Sequence, residues 1–158
     1  MSHPPHAARP IRLLLVEDSK TQRVLVQNAV RESESIALQH AAEDGEEALD
    51  YLRGRGSGVP AARPDLILLD LNMPRKNGFE FLDEIKEDED LRNIPVILFT
   101  TSDCEDDVAH SYASGASAFM NKPSSYAELQ LILEDIGKYW GHVRLPPTRQ
   151  ANHASSLC

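Results

Sequence analysis

Five short apolar runs, each followed by a segment of helical period, divide this sequence. That alternation limits the fold more than any other feature. The runs are "IRLLLVED" (11–18), "IALQHAA" (36–42), "DLILLD" (65–70), "IPVILFTTS" (94–102) and "ASAFMNKP" (116–123). The first, third and fourth are continuously apolar, as expected of strands covered on both faces. Strands that alternate with helices need right-handed crossovers, which make the sheet parallel. The expected architecture is therefore α/β, a doubly wound five-stranded parallel sheet of (βα)5 type.

The intervening segments carry helix signals. In "SKTQRVLVQNAVRES", Ser19 is placed as an N-cap, with Val24, Leu25, Asn28 and Ala29 at helical spacing. Asp44 is placed to cap a second helix that stops near Gly54. "GFEFLDEIKED" sets Phe79, Leu82 and Ile85 on one side, and "EDDVAHSYASG" ends at Gly115. Ser125 and Glu128 have the spacing of a capping box before the last helix, which runs to Trp140. "RGSGVPAARP" reads as a loop by composition.

Length and charge narrow the function. A chain of 158 residues suits one domain, expected over 10–141, with a flexible arm at 1–9 and a second arm at 142–158. No apolar stretch reaches the roughly 20 residues of a membrane span. "MSHPPHAARP" lacks the apolar centre of a signal peptide, so the expected compartment is the cytoplasm. Cys104 and Cys158 are then reduced thiols, and His3 and His6 lie in an arm without fixed partners. A net charge of −9 disfavours nucleic acid, whose phosphates call for a basic face.

In open α/β sheets, sites form beyond the carboxyl ends of the strands. There the sequence places Glu17 and Asp18 after the first strand and Asp70 after the third. Thr100 ends the fourth strand, and Lys122 and Pro123 follow the fifth. Taken singly, each has an ordinary explanation: a cap, a turn carboxylate, a β-former, a solvated lysine. Three carboxylates at one sheet edge repel one another unless a cation joins them. An all-oxygen set suits Mg²⁺ or Mn²⁺, which leaves positions open for a phosphoryl oxygen. A carboxylate can also act as the nucleophile and become an aspartyl-phosphate.

"LLLVED", "DLILLDLNMPRKNG", "VILFTTS" and "FMNKP" together resemble the receiver domain of two-component response regulators, over about 12–140. That likeness implies the flavodoxin-like receiver fold, with Asp70 as phosphoacceptor. It implies Glu17, Asp18, Asp70 and the Asn72 backbone carbonyl as ligands of Mg²⁺ or Mn²⁺. By the same likeness Thr100 and Lys122 contact the phosphoryl group, Phe119 is the rotating aromatic, and the Lys122–Pro123 bond is cis. The long loop before "PDLILLD" and the ending "YWGHVRLPP" are similar to stand-alone regulators paired with bacterial phytochrome kinases. The implied donor is a sensor histidine kinase that senses red light, a bacteriophytochrome. The implied assembly is a homodimer, with Tyr112, Tyr139, Trp140 and Leu145 as its candidate face. Thr101 stands where the family often has Ala, and Glu17 where many members have Asp.

Two rivals follow from the same residues. One is a receiver-like module that binds partners without phosphorylation; the full set of acids, Thr100 and Lys122 argues against it. The other is a Mg²⁺-dependent phosphatase with an aspartate nucleophile, but its second acid would fall at Asn72, an amide.

Overall fold

The computed structural model describes residues 9–55 and 62–147. The arms expected at 1–9 and 142–158 lie outside these, except for Arg9 and 142–147, and so does most of the expected loop at 55–64. The elements are β1 (Ile11–Val16), α1 (Lys20–Arg31), β2 (Ile36–Ala42), α2 (Gly45–Leu52), β3 (Leu66–Leu69), α3 (Gly78–Glu87), β4 (Val96–Thr100), α4 (Glu105–Ala113), β5 (Ala118–Asn121) and α5 (Tyr126–His142). All strand pairs are parallel, in the order β2-β1-β3-β4-β5.

The continuous apolar runs are explained by the pleat. Leu14, Val16, Ile67, Leu69, Val96 and Leu98 face one layer, with Leu49, Phe81, Leu82 and Ile85 from α2 and α3. Their neighbours Leu13, Leu15, Leu66, Leu68, Ile97 and Phe99 face the other, with Val26, Val30, Leu133 and Ile136 from α1 and α5. Successive side chains point to opposite faces, so a strand buried on both sides shows no alternation.

Caps fall where the sequence places them. Ser19, Asp44 and Ser125 accept from the N–H groups of Gln22, Glu47 and Glu128. A full reciprocal capping box forms at α3, between Asn77 and Glu80. Gly54 and Gly115 follow α2 and α4 with φ of 72° and 98°, the left-handed region that favours glycine.

Two helix faces differ from expectation. On α1 the buried residues are Val26, Ala29 and Val30, while Val24 and Asn28 are exposed. Three successive apolar residues, 24 to 26, leave the face undetermined by period alone; contact with β2 and α5 selects it. On α3, Phe81 joins Leu82 and Ile85 as fully buried, while Phe79 packs at the margin of the same layer and stacks on His110 of α4. The Lys122–Pro123 bond also departs from expectation: it is trans, and no peptide bond among the described residues is cis. Trans is the lower-energy isomer of an X–Pro bond by about 0.5–1 kcal/mol. The trans chain already delivers Lys122 to its partners, with its N–H on the Thr100 carbonyl at 2.8 Å.

Candidate functional site

The sheet switches direction between β1 and β3, because β2 lies outside β1 on one side and β3 follows on the other. Such a switch point opens a crevice beyond the carboxyl ends of the two strands. Val16 pairs with Leu69, so Glu17 and Asp70 leave the sheet at one level. The Asp70 N–H donates to the Val16 carbonyl at 3.0 Å and fixes that level.

Ligand oxygens of Glu17, Asp18 and Asp70 all lie within 4.8 Å of one another. Glu17 and Asp70 are buried, at 2% and 7% exposure, and Asp18 is exposed. Lys122 pairs with Glu17 and stands 3.6 Å from Asp70 Oδ2. One ammonium thus answers three carboxylates. The strain registers on Asp18, whose carboxyl is held above its ordinary value by partial burial, then by a hydrogen bond and repulsion from Glu17. The three carboxylates lie close enough together to share one divalent cation. An oxygen-only donor set is the right chemistry for Mg²⁺ or Mn²⁺.

The remaining residues named from the sequence are distributed around this cluster. Thr100 is fully buried at the end of β4, and its Oγ1 accepts from the Ser102 N–H at 3.4 Å. Thr100 pairs with Asn121, one residue before Lys122. Asn72 is exposed in the bend after β3, between the buried Leu71 and Met73. Phe119 is half-buried in β5 against the α2–α3 layer, and its N–H donates to the Tyr112 hydroxyl at 3.3 Å.

The four residues of the candidate dimer face divide into two kinds. Tyr112 and Tyr139 are exposed, at 51% and 65%. Trp140 and Leu145 pack on the α1–α5 layer. Leu145 lines a small cavity with Arg9, Arg12 and Asp65, at the opposite end of the sheet from the acids.

Three supporting features were not read from the sequence. Arg23 donates to the carbonyls of Glu17 and Asp18 at 2.8 and 2.9 Å, clamping the acidic loop from the second turn of α1. Ser102 donates to Asp107 at 2.6 Å and accepts from the Cys104 N–H, which organises the turn into α4. Arg75, itself exposed, grips the buried Asp44 with Nε at 2.7 Å. The Arg23 and Ser102 contacts are local, five or six residues apart, whereas the Arg75–Asp44 contact spans 31 positions and depends on tertiary structure.

Comparison with known proteins agrees with this geometry. The family model described as "Response regulator receiver domain" matches residues 13–134. Response regulator Rcp1 of Synechocystis sp. is 41% identical over 135 residues, covering 83% of this chain and 89% of that protein. Its Mn²⁺-bound crystal structure superposes with a TM-score of 0.76 at 40% identity, covering 87% of this chain and all of that one (100%). The probable methanogenesis regulatory protein FilR2 of Methanothrix harundinacea is 37% identical, covering 85% of this chain and 86% of that one. The phosphorylated cyanobacterial phytochrome response regulator RcpA superposes with a TM-score of 0.79 at 40% identity, covering 87% and 99%.

Proposed function

Because the chain belongs to the response regulator receiver family, we propose that Asp70 takes a phosphoryl group from a sensor histidine kinase and that the modified domain switches its partner binding. The observation that carries this reading is the meeting of Asp70 with Glu17, Asp18 and Lys122 at the switch point of the sheet.

A carboxylate oxygen of Asp70 attacks the phosphorus of the donor's phosphohistidine. The new O–P bond forms as the P–N bond breaks, and the departing imidazole takes up a proton. A Mg²⁺ or Mn²⁺ ion held by Glu17, Asp18, Asp70 and the Asn72 carbonyl supplies charge neutralisation at the transferring oxygens. The Lys122 ammonium and the Thr100 hydroxyl donate to the remaining phosphoryl oxygens. The aspartyl-phosphate adds about −1.5 to −2 charges. Drawing Thr100 and Lys122 onto it loads the β4–α4 turn and β5, and through them Phe119. The chemistry is limited to the domain's own phosphorylation and dephosphorylation; the output is binding.

The likeness to Rcp1 and RcpA supports a phytochrome kinase as donor, placing the protein in red-light signalling. A cytoplasmic receiver unit over 10–141, with the arm that follows it, acts as a homodimer whose contact face is exposed Tyr112 and Tyr139, backed by Trp140 and, from the arm, Leu145.

The deciding experiment is intact mass after incubation with Mg²⁺ and a small-molecule phosphodonor, wild type beside Asp70→Asn. A gain of one phosphoryl group in the wild type alone is the expected result. No gain in either protein, with the fold intact, leaves a binding module that works without phosphorylation.

A further inference from the structure

The loop at 71–77, between β3 and α3, carries Asn72, and it is anchored at three points. On its inner side Leu71 and Met73 are buried in the α2–α3 layer. At its base the Gly78 N–H donates to the Leu71 carbonyl at 3.0 Å. The third anchor comes from outside. Arg75 reaches back to Asp44, the N-cap of α2, placing Nη2 2.6 Å and Nε 2.7 Å from Asp44 Oδ2.

Asp44 is built for that contact. It is 4% exposed, and its two oxygens divide the work: Oδ1 accepts from the Glu47 N–H at 2.9 Å, and Oδ2 takes Arg75. The loop also lies close on the helix beneath. A Cβ added to Gly45 would sit 2.9 Å from both the Lys76 carbonyl oxygen and Lys76 Cβ, so glycine is what lets the two backbones touch. Asp44 is buried while the Arg75 side chain is 63% exposed, so the pair acts as a geometric tie between the loop and α2 more than as a strong ion pair. Nothing in the phosphoryl chemistry requires Arg75, which touches none of the three acids.

We propose that the Asp44–Arg75 pair is a strut that positions the 71–77 loop, and with it the Asn72 carbonyl, for the divalent cation. Arg75 is a positioning residue, and the inference rests on the cation site proposed above. Preformed support of this kind sets affinity, because an unsupported ligand must be ordered when the ion binds.

The sign of the effect separates this role from simple electrostatics. Arg75 is a positive charge on the loop that serves a cation. By Coulomb's law alone its removal raises cation affinity. By positioning, its removal lowers affinity.

The test measures Mn²⁺ affinity by electron paramagnetic resonance, and amide exchange of 71–78 without added metal. The proteins are wild type, Arg75→Ala, Arg75→Lys, Asp44→Ser and the double variant Asp44→Ser/Arg75→Ala. Serine keeps an N-cap acceptor for α2 while removing the ion pair. Arg75→Ala and Asp44→Ser are each expected to weaken Mn²⁺ binding about 10-fold, with Arg75→Lys between them and wild type. The double variant is expected to lose no more than either single one. Exchange across 71–78 is expected to rise in step. Affinity that stays within twofold of wild type, or rises, in Arg75→Ala overturns the strut. So does a fall in affinity with loop exchange unchanged. If wild type itself fails to bind Mn²⁺ while its loop exchange still depends on Arg75, the cation site is wrong and the strut has no role in it.

Discussion

Lys122 crosses from the end of β5 to set its ammonium between Glu17 and Asp70, paired with the first and 3.6 Å from the second. Glu17 is 2% exposed, so its carboxylate is cut off from bulk water and is held by Lys122 and the Ser19 N–H. Removing one member of a buried pair costs about 3 kcal/mol or more. Lys122→Met is therefore expected to lose about 3 kcal/mol in urea unfolding without divalent cation. Millimolar Mg²⁺ should restore part of the loss, because the ion brings positive charge to the same acids. Equal losses with and without Mg²⁺ would separate Lys122 from the cation site.

Gly78 and Gly141 make a paired prediction. A Cβ on Gly78 would stand 2.6 Å from the Asp70 carbonyl oxygen and 2.7 Å from Leu71 Cα, so backbone must move. A Cβ on Gly141 meets nothing within 4 Å. Gly78→Ala should cost about 2 kcal/mol and slow phosphorylation, because the displaced segment includes Asp70. Gly141→Ala, within the last turn of α5, should gain about 0.5 kcal/mol. Thermal unfolding of both variants beside wild type checks the pair.

Much of this was legible before any coordinates. Leu66 to Leu69 and Val96 to Phe99 announce strands because both faces of the sheet are covered, and the acids at their ends stand out against such runs. Ser19, Asp44 and Ser125 were legible because a cap is local chemistry, decided within four residues. The buried face of α1 was not. Val24, Leu25 and Val26 are chemically alike, and only the position of β2 and α5 decides among them. Nor was the Asp44–Arg75 contact legible: two charges 31 positions apart carry no sign of pairing. Trp140 and Leu145 fall beyond the last apolar period, and both pack on the α1–α5 layer, with Leu145 at the lower edge of the sheet, the end away from the acids.

At that lower edge Asp65 predicts a pH dependence. Burial pushes its carboxyl up, but the Arg9 side chain, the Arg12 N–H and the Arg12 guanidinium outweigh burial and hold it below the ordinary carboxylate value. A depressed folded-state value means stability that is present above the unfolded value, about 3.9, and lost as pH falls through the folded one. Wild type should therefore lose urea stability on acidification below about pH 4. Asp65→Asn should start lower at neutral pH and decline less, so that the two curves converge in acid. Parallel curves would show that Asp65 contributes no pH-linked stability.

The last prediction concerns motion. Of the nine residues of α4, Ser111 alone is buried, and its hydroxyl bonds within the helix to the Asp107 carbonyl. The ties of α4 to its surroundings are peripheral: His110 stacked on Phe79 at 3.9 Å, Asp107 on Ser102, and the Tyr112 hydroxyl accepting from the Phe119 N–H. By contrast α5 buries Leu129, Leu133, Ile136 and Gly137. Local opening costs least where the fewest apolar contacts must break. Amides of α4 should thus exchange at least about 10-fold faster than those of α5, a difference of about 1.4 kcal/mol in opening free energy. Phe79→Ala, which removes the stack, should speed α4 further and leave α5 unchanged. Hydrogen exchange read by mass spectrometry decides it: equal protection of the two helices would mean that the peripheral ties hold α4 as firmly as a core does.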